Sequence, residues 1–115
     1  MRNIKLGKYG EEKAEEFLKK NGYRIIEKNF RTKFGEIDII AKNKKHIVFI
    51  EVKTRSSLDF GYPEESVSRR KFNRIKKCAE IYLLRKRKEK IPVRFEILSI
   101  LKSKGKLSFK ILPAE

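Results

Sequence analysis

The sequence is poor in the residues that staple small folds or carry them across membranes. A single cysteine, Cys78, excludes an internal disulfide and any cysteine-rich zinc site. No apolar run approaches the roughly 20 residues a membrane-spanning helix needs. The basic opening MRNIKLGKYG is not followed by the apolar core, roughly 7–15 residues, of a secretory signal. Repeats, low-complexity tracts and Pro/Gly/Ser-rich linkers are all missing, so 115 residues read as one domain, too few for two comfortable cores. Acidic residues are the other scarcity. Against 15 Asp+Glu stand 31 Lys+Arg, and a net charge of +16 calls for a polyanionic partner, nucleic acid first and an anionic membrane surface second. Together these features point to the cytoplasm and to no membrane.

What is present folds. Hydrophobic residues make up 39% of the chain, which excludes a disordered polyelectrolyte. The 40% of charged residues gives a composition resembling a thermophile's. From Gly7 to Lys20 the positions Gly10, Ala14, Phe17 and Leu18 follow helical spacing, and Asn21-Gly22 stops the helix. YRIIEKNF (23–30) reads as a strand with one wet face, and GEIDIIA (35–41) with HIVFIEV (46–52) reads as a hairpin. TRSSLDFGYPEES (54–66), broken by Gly61 and Pro63, reads as a loop. Ser68 reads as the N-cap of an amphipathic helix marked by Phe72, Ile75, Cys78, Ala79, Tyr82 and Leu83. PVRFEILSIL and LSFKIL, around the turn KSKGK, close the chain as two strands. The order α-β-β-β-α-β-β predicts an α/β domain with a mixed sheet flanked by helices.

One stretch conflicts with this pattern. FIEVKTR (49–55) is a core-type strand that carries Glu51 and Lys53, and buried charge is costly unless paired or bound to a metal. Residues two apart on a strand share a face, so Glu51 and Lys53 point the same way, as do Glu36 and Asp38 on the preceding strand. An even-numbered loop, for example Asn43 to His46, sets Asp38 opposite Glu51 and Glu36 opposite Lys53. An odd-numbered loop separates the acids onto two faces. On the first helix Glu11 lies about 60° from Ala14, the best placed of that helix's acids to look inward. A converged Asp38, Glu51 and Lys53, with Glu11, is a hard oxygen site suited to Mg²⁺ or Mn²⁺, the lysine addressing an attacking water. Glu36 is either a further ligand or an ion-pair partner of Lys53. The plainer alternative is that these are ordinary ion pairs near a sheet edge.

An acid, about a dozen residues, then Glu-x-Lys in an apolar strand resembles the PD-(D/E)xK pattern of the restriction-endonuclease-like superfamily. With GEEKA (10–14), NFRTKFGEIDIIA (29–41), VFIEVKTR (48–55), GYPEESV (61–67) and Lys71, nearly the whole chain resembles the YraN-like family of small bacterial proteins, itself similar to archaeal Holliday junction resolvases. The resemblance implies a restriction-endonuclease-like core and Glu11, Asp38, Glu51 and Lys53 as the metal and catalytic set. Gly35-Glu-Ile-Asp stands where the superfamily often has Pro-Asp.

The second helix and its flank, RRKFNRIKK and RKRKEK, place a basic stripe on the outer helix face with few balancing acids. Candidate nucleic-acid contacts are Arg31, Arg55, Arg69, Arg70, Lys71, Arg74, Lys77 and Arg85. His46, in the hairpin loop, and Cys78, on the apolar helix face, read as a solvated and a core residue. Two functions are consistent with the pattern. One is a metal-dependent endonuclease acting on DNA, for which a two-fold dimer would suit paired cuts. The other is a basic nucleic-acid-binding protein that keeps the fold without catalysis. A pure binder has no use for three acids beside a phosphate. An RNA-binding module, a third possibility, would show exposed sheet aromatics such as Phe49 and Phe95.

Overall fold

The computed structural model describes residues 7–56 and 67–114. Helix α1 (Lys8–Lys20) starts at an extended Gly7, carries Glu11 in its first turn and Lys19 and Lys20 in its last, and so suits the helix dipole at both ends. It stops where Asn21 bonds back to the Phe17 carbonyl (2.8 Å) and Gly22 takes φ 86°, a left-handed value natural to glycine. Strands β1 (Tyr23–Thr32), β2 (Gly35–Asn43) and β3 (His46–Ser56) follow as an antiparallel meander. Helix α2 (Arg69–Lys86) then crosses over to β4 (Val93–Ser103), which runs parallel to β3, and β5 (Lys106–Pro113) turns back on it. The sheet is open, five-stranded, mostly antiparallel and ordered β1-β2-β3-β4-β5.

The expected element order is the observed one; its edges are not. His46 opens β3 opposite Asn43, and the turn is only Lys44-Lys45, with Lys44 at φ 56°. Thr54 to Ser56 were expected in a loop, yet they continue β3, because its parallel ladder with β4 holds as far as Ser56↔Lys102. The rest of that expected loop, 57–66, lies outside the described residues, as do positions 1–6.

Each face of the sheet carries a core. Ala14 and Leu18 of α1 pack with Ile39, Ala41, Val48, Ile50, Leu98 and Ile100. Ile75, Cys78, Ala79 and Tyr82 of α2 pack with Phe30, Ile37, Ile40, Ile47 and Phe49 on the other face. Alternation along β2 breaks at Asp38: Ile39 faces α1, yet both Ile37 and Ile40 belong to the α2 core. The break coincides with Asn29 of β1, at φ 55°, between the pairs Lys28↔Ile39 and Phe30↔Ile37. Asp38 therefore sits at a kink, and there the β2–β3 ladder ends.

Candidate active site

The two-residue turn realises the register that brings the acids together. Paired residues run from Asn43↔His46 to Ile39↔Ile50, and the next step sets Asp38 against Glu51. At that step the strands part. The Val52 N–H, whose next ladder partner would be a backbone carbonyl, donates instead to Oδ2 of Asp38 at 2.7 Å. The carboxylate thus closes one edge of the opening and satisfies a donor that the parted strands would otherwise orphan. Glu51, 9% exposed, is the one charged residue buried among the described residues.

Burial and the charge of Glu51 beside it, with a lesser push from Glu36, raise the Asp38 carboxyl to about 6. The Val52 N–H and Lys71 pull the other way. Lys71 places its Nζ 2.5 Å from Oε2 of Glu51. It comes from the first turn of α2, where the Ser68 side chain accepts from the Lys71 N–H (3.2 Å), so the expected N-cap also fixes the start of the helix that delivers this lysine. Lys71 was expected on the outer basic stripe. It lies instead on the inner edge, because positions 71, 75, 78 and 82 form one helical row facing the sheet.

Lys53 is half-buried, two residues beyond Glu51 on the same face, and among the described residues it has no ion pair. The ordinary pairing of Glu51 with Lys53 is therefore not what forms. Glu36 does not pair with Lys53 either; it accepts from Nε of Arg31 at 3.2 Å. Glu11 is exposed on α1, across the sheet from α2, and its charge is felt at Lys28. Among the described residues no three Asp, Glu, His or Cys side chains converge closely enough to cage a metal. A structural zinc site, with its three or four nitrogen or sulfur ligands, does not fit this donor set. Magnesium or manganese does, since either uses one or two carboxylates and takes its other ligands from water and phosphate.

The start of α2 carries a second anomaly. Its first turn has no acid and holds Arg69, Arg70 and Lys71, cations at the helix end where the dipole is positive. Lys71 has Glu51; Arg69 and Arg70 are exposed and form no ion pair among the described residues. Arg74 is likewise exposed. Further along, Lys77 lies over the Phe34 ring (5.1 Å) and Arg85 over Phe30 (5.7 Å). Arg55 is half-buried on β3 beside Leu101 of β4. The sheet aromatics belong to the core: Phe49 is 1% exposed and stacks on the half-buried Phe95, centroids 5.5 Å apart. Cys78 is buried against Thr32 Oγ1 (3.1 Å), a core residue as read.

Fold and site together define a small α/β domain with a facing acid pair where a central hairpin opens. A family model described as "Uncharacterised protein family UPF0102" matches residues 10–100, and the chain belongs to that family. It is 50% identical to a UPF0102 protein of Dictyoglomus turgidum over 98% of both chains. It is also 50% identical to one of Persephonella marina, covering 83% of this chain and 82% of that one. A Thermodesulfovibrio yellowstonii relative is 53% identical over 87% and 88% of the two chains.

Proposed function

We propose that the protein is a divalent-metal-dependent endonuclease with a restriction-endonuclease-like core, hydrolysing phosphodiester bonds in DNA, with branched or repair structures as its substrates. The observation that carries this reading is the pair Asp38 and Glu51, held where the hairpin opens, with Lys71 on one side and Lys53 close by. Two facing carboxylates sheltered from water keep both charges only beside a cation. Asp38 and Glu51 would hold Mg²⁺ or Mn²⁺, and Glu11 and Glu36 lie outside that pair. Bound there, such an ion supplies positive charge that polarises a phosphoryl oxygen and acidifies water. Lys53, which has no ion pair among the described residues, orients the attacking water and offsets charge growing on the phosphoryl oxygens. Arg69 and Arg70, on the same first turn of α2 as Lys71, carry exposed charge at a helix N-terminus, a natural seat for neighbouring phosphates.

The Lys71–Glu51 contact also favours a second reading, a basic binder in which the acid pair is simply satisfied by that lysine. Cleavage separates the two. Plain and branched DNA should be cut with Mg²⁺ or Mn²⁺ by the wild type, and Asp38→Ala and Glu51→Ala should abolish cutting while the fold survives. No cutting under either metal, or variants as active as wild type, would leave the binder.

A further inference from the structure

The hairpin formed by β4 and β5 supplies neither acid of the pair, and from Ile97 onward its surface carries charge of one sign only. From Ile97 to Ala114 the chain has no acidic residue and four lysines, Lys102, Lys104, Lys106 and Lys110. All four are exposed, and none has an ion pair among the described residues. Some lysines elsewhere find acids, Lys13 with Glu16, Lys28 with Glu15 and Lys71 with Glu51; among the described residues the lysines of this hairpin, like the exposed Arg69 and Arg70 of α2, do not. A solvated surface of mixed sign would not need an acid-free arm.

Its position gives the charge a purpose. Glu51 lies beside Ile97 in the parallel ladder, and β3 and β4 run on together to Ser56↔Lys102. The β2–β3 turn at Lys44-Lys45 is at the opposite end of the sheet, so the acid pair opens toward the end from which the β4–β5 tip projects. Ser103 lies six residue steps along the strand from Ile97, about 20 Å at roughly 3.3 Å per residue. That reach is comparable to the width of a nucleic-acid duplex, whose grooves are about 6 and 12 Å across. A tight turn, Lys104 at φ 50° and Gly105 at φ 76°, holds Lys104 between Ser103 and Lys106, which pair across it. The arm is a strand ladder and offers lysines at fixed spacing.

We propose that the β4–β5 hairpin is a phosphate-binding arm that grips duplex nucleic acid about one duplex width from the acid pair. This rests on the reading of the partner as nucleic acid. The choice of duplex follows from the surface chemistry. Single-strand binders stack bases on exposed aromatics. Among the described residues the only exposed aromatic among the large hydrophobics is Tyr9 on α1, and Phe109 of the arm is stacked on Phe17 at 5.1 Å. Lysine contacts to the backbone of a duplex need no such platform.

The test is fluorescence anisotropy with a 20-base-pair duplex and a single strand of equal length, in metal-free buffer at several salt concentrations. The variants are Lys102→Glu/Lys104→Glu/Lys106→Glu and a control with the same charge change at the far end of the sheet, Lys44→Glu/Lys45→Glu/Lys90→Glu. All six positions are exposed, so both proteins should melt with the wild type. The arm variant should lose at least tenfold in duplex affinity at 0.1 M salt, and its log–log salt slope should fall by about 0.9 for each lost phosphate contact. The control should lose much less, and the wild type should prefer the duplex. Equal losses in both variants, an arm variant that binds like wild type, or a preference for the single strand would overturn the arm while leaving nucleic-acid binding in place. A wild type that binds neither probe would overturn the nucleic-acid reading itself.

Discussion

Nζ of Lys71 sits 2.5 Å from Oε2 of Glu51, so the buried acid of the opened hairpin takes its counter-charge from another element and not from Lys53 on its own strand. Glu51 cannot serve that lysine and a divalent cation equally through one oxygen. Lys71→Met should therefore do two opposite things. Without metal it leaves Glu51 buried and unpaired, and should cost about 1–3 kcal/mol of stability in denaturant unfolding. With the competing cation gone, Mn²⁺ should bind several-fold more tightly. The pair variant Lys71→Met/Glu51→Gln should recover most of the stability and lose the metal. A Lys71→Met protein that is as stable as wild type would contradict the role given to this contact.

Asp38 gives a pH signature. Its carboxyl is raised from 3.8 to about 6, so over that interval the folded protein holds a proton that the unfolded chain has released. The stability this group contributes is full below about pH 4 and is lost as pH rises through 6. In metal-free buffer Asp38→Asn, whose side-chain oxygen can still accept from Val52, should gain on wild type between pH 4.5 and 7.5 by the order of 1–3 kcal/mol. Unfolding at both pH values reads this directly. A difference that does not change with pH would mean that Asp38 is not held high. A saturating divalent cation should erase the gain, because it favours the charged carboxylate.

Lys53 separates catalysis from support. It has no ion pair to lose among the described residues, so Lys53→Ala should barely move the melting temperature. Cleavage should drop by about 10²-fold or more with metal affinity nearly unchanged. A variant that melts early yet cuts normally would assign Lys53 to the structure.

Most of the architecture was legible because two periodicities ran cleanly: the helical rows of Ala14–Leu18 and Ile75–Cys78–Tyr82, and the β-branched runs of β2 and β3. The acids were legible for the opposite reason, since Glu51 breaks the apolar pattern of its strand. What stayed hidden depended on contacts distant in sequence. Lys71 read as one more residue of a basic helix, and only the packing of α2 against β3 turns it toward Glu51. Residues 54 to 56 looked like loop because their ladder partner, β4, lies more than 40 positions on. The Val52 N–H has no side-chain signature at all. Glu11 looked inward by helical angle, but α1 lies on the face of the sheet away from α2.

The basic start of α2 should act through charge. Arg69→Ala, Arg70→Ala and Arg74→Ala should each weaken DNA binding nearly uniformly across sequences, and each should lower the salt slope by about 0.9 if it holds one phosphate. Measured slopes that stay at the wild-type value would remove these residues from the interface.

Calorimetric titration of the apo protein with Mn²⁺ tests the central claim most directly, because it asks whether the Asp38–Glu51 pair binds a divalent cation at all. Wild type at pH 7.5 should bind in one saturable process, weaken as pH falls below about 6, and gain thermal stability that grows with metal concentration. Asp38→Asn and Glu51→Gln should each abolish the heat while remaining folded. A wild type that gives no binding heat and no shift in melting temperature, or variants that bind Mn²⁺ as it does, would contradict the assignment of this site.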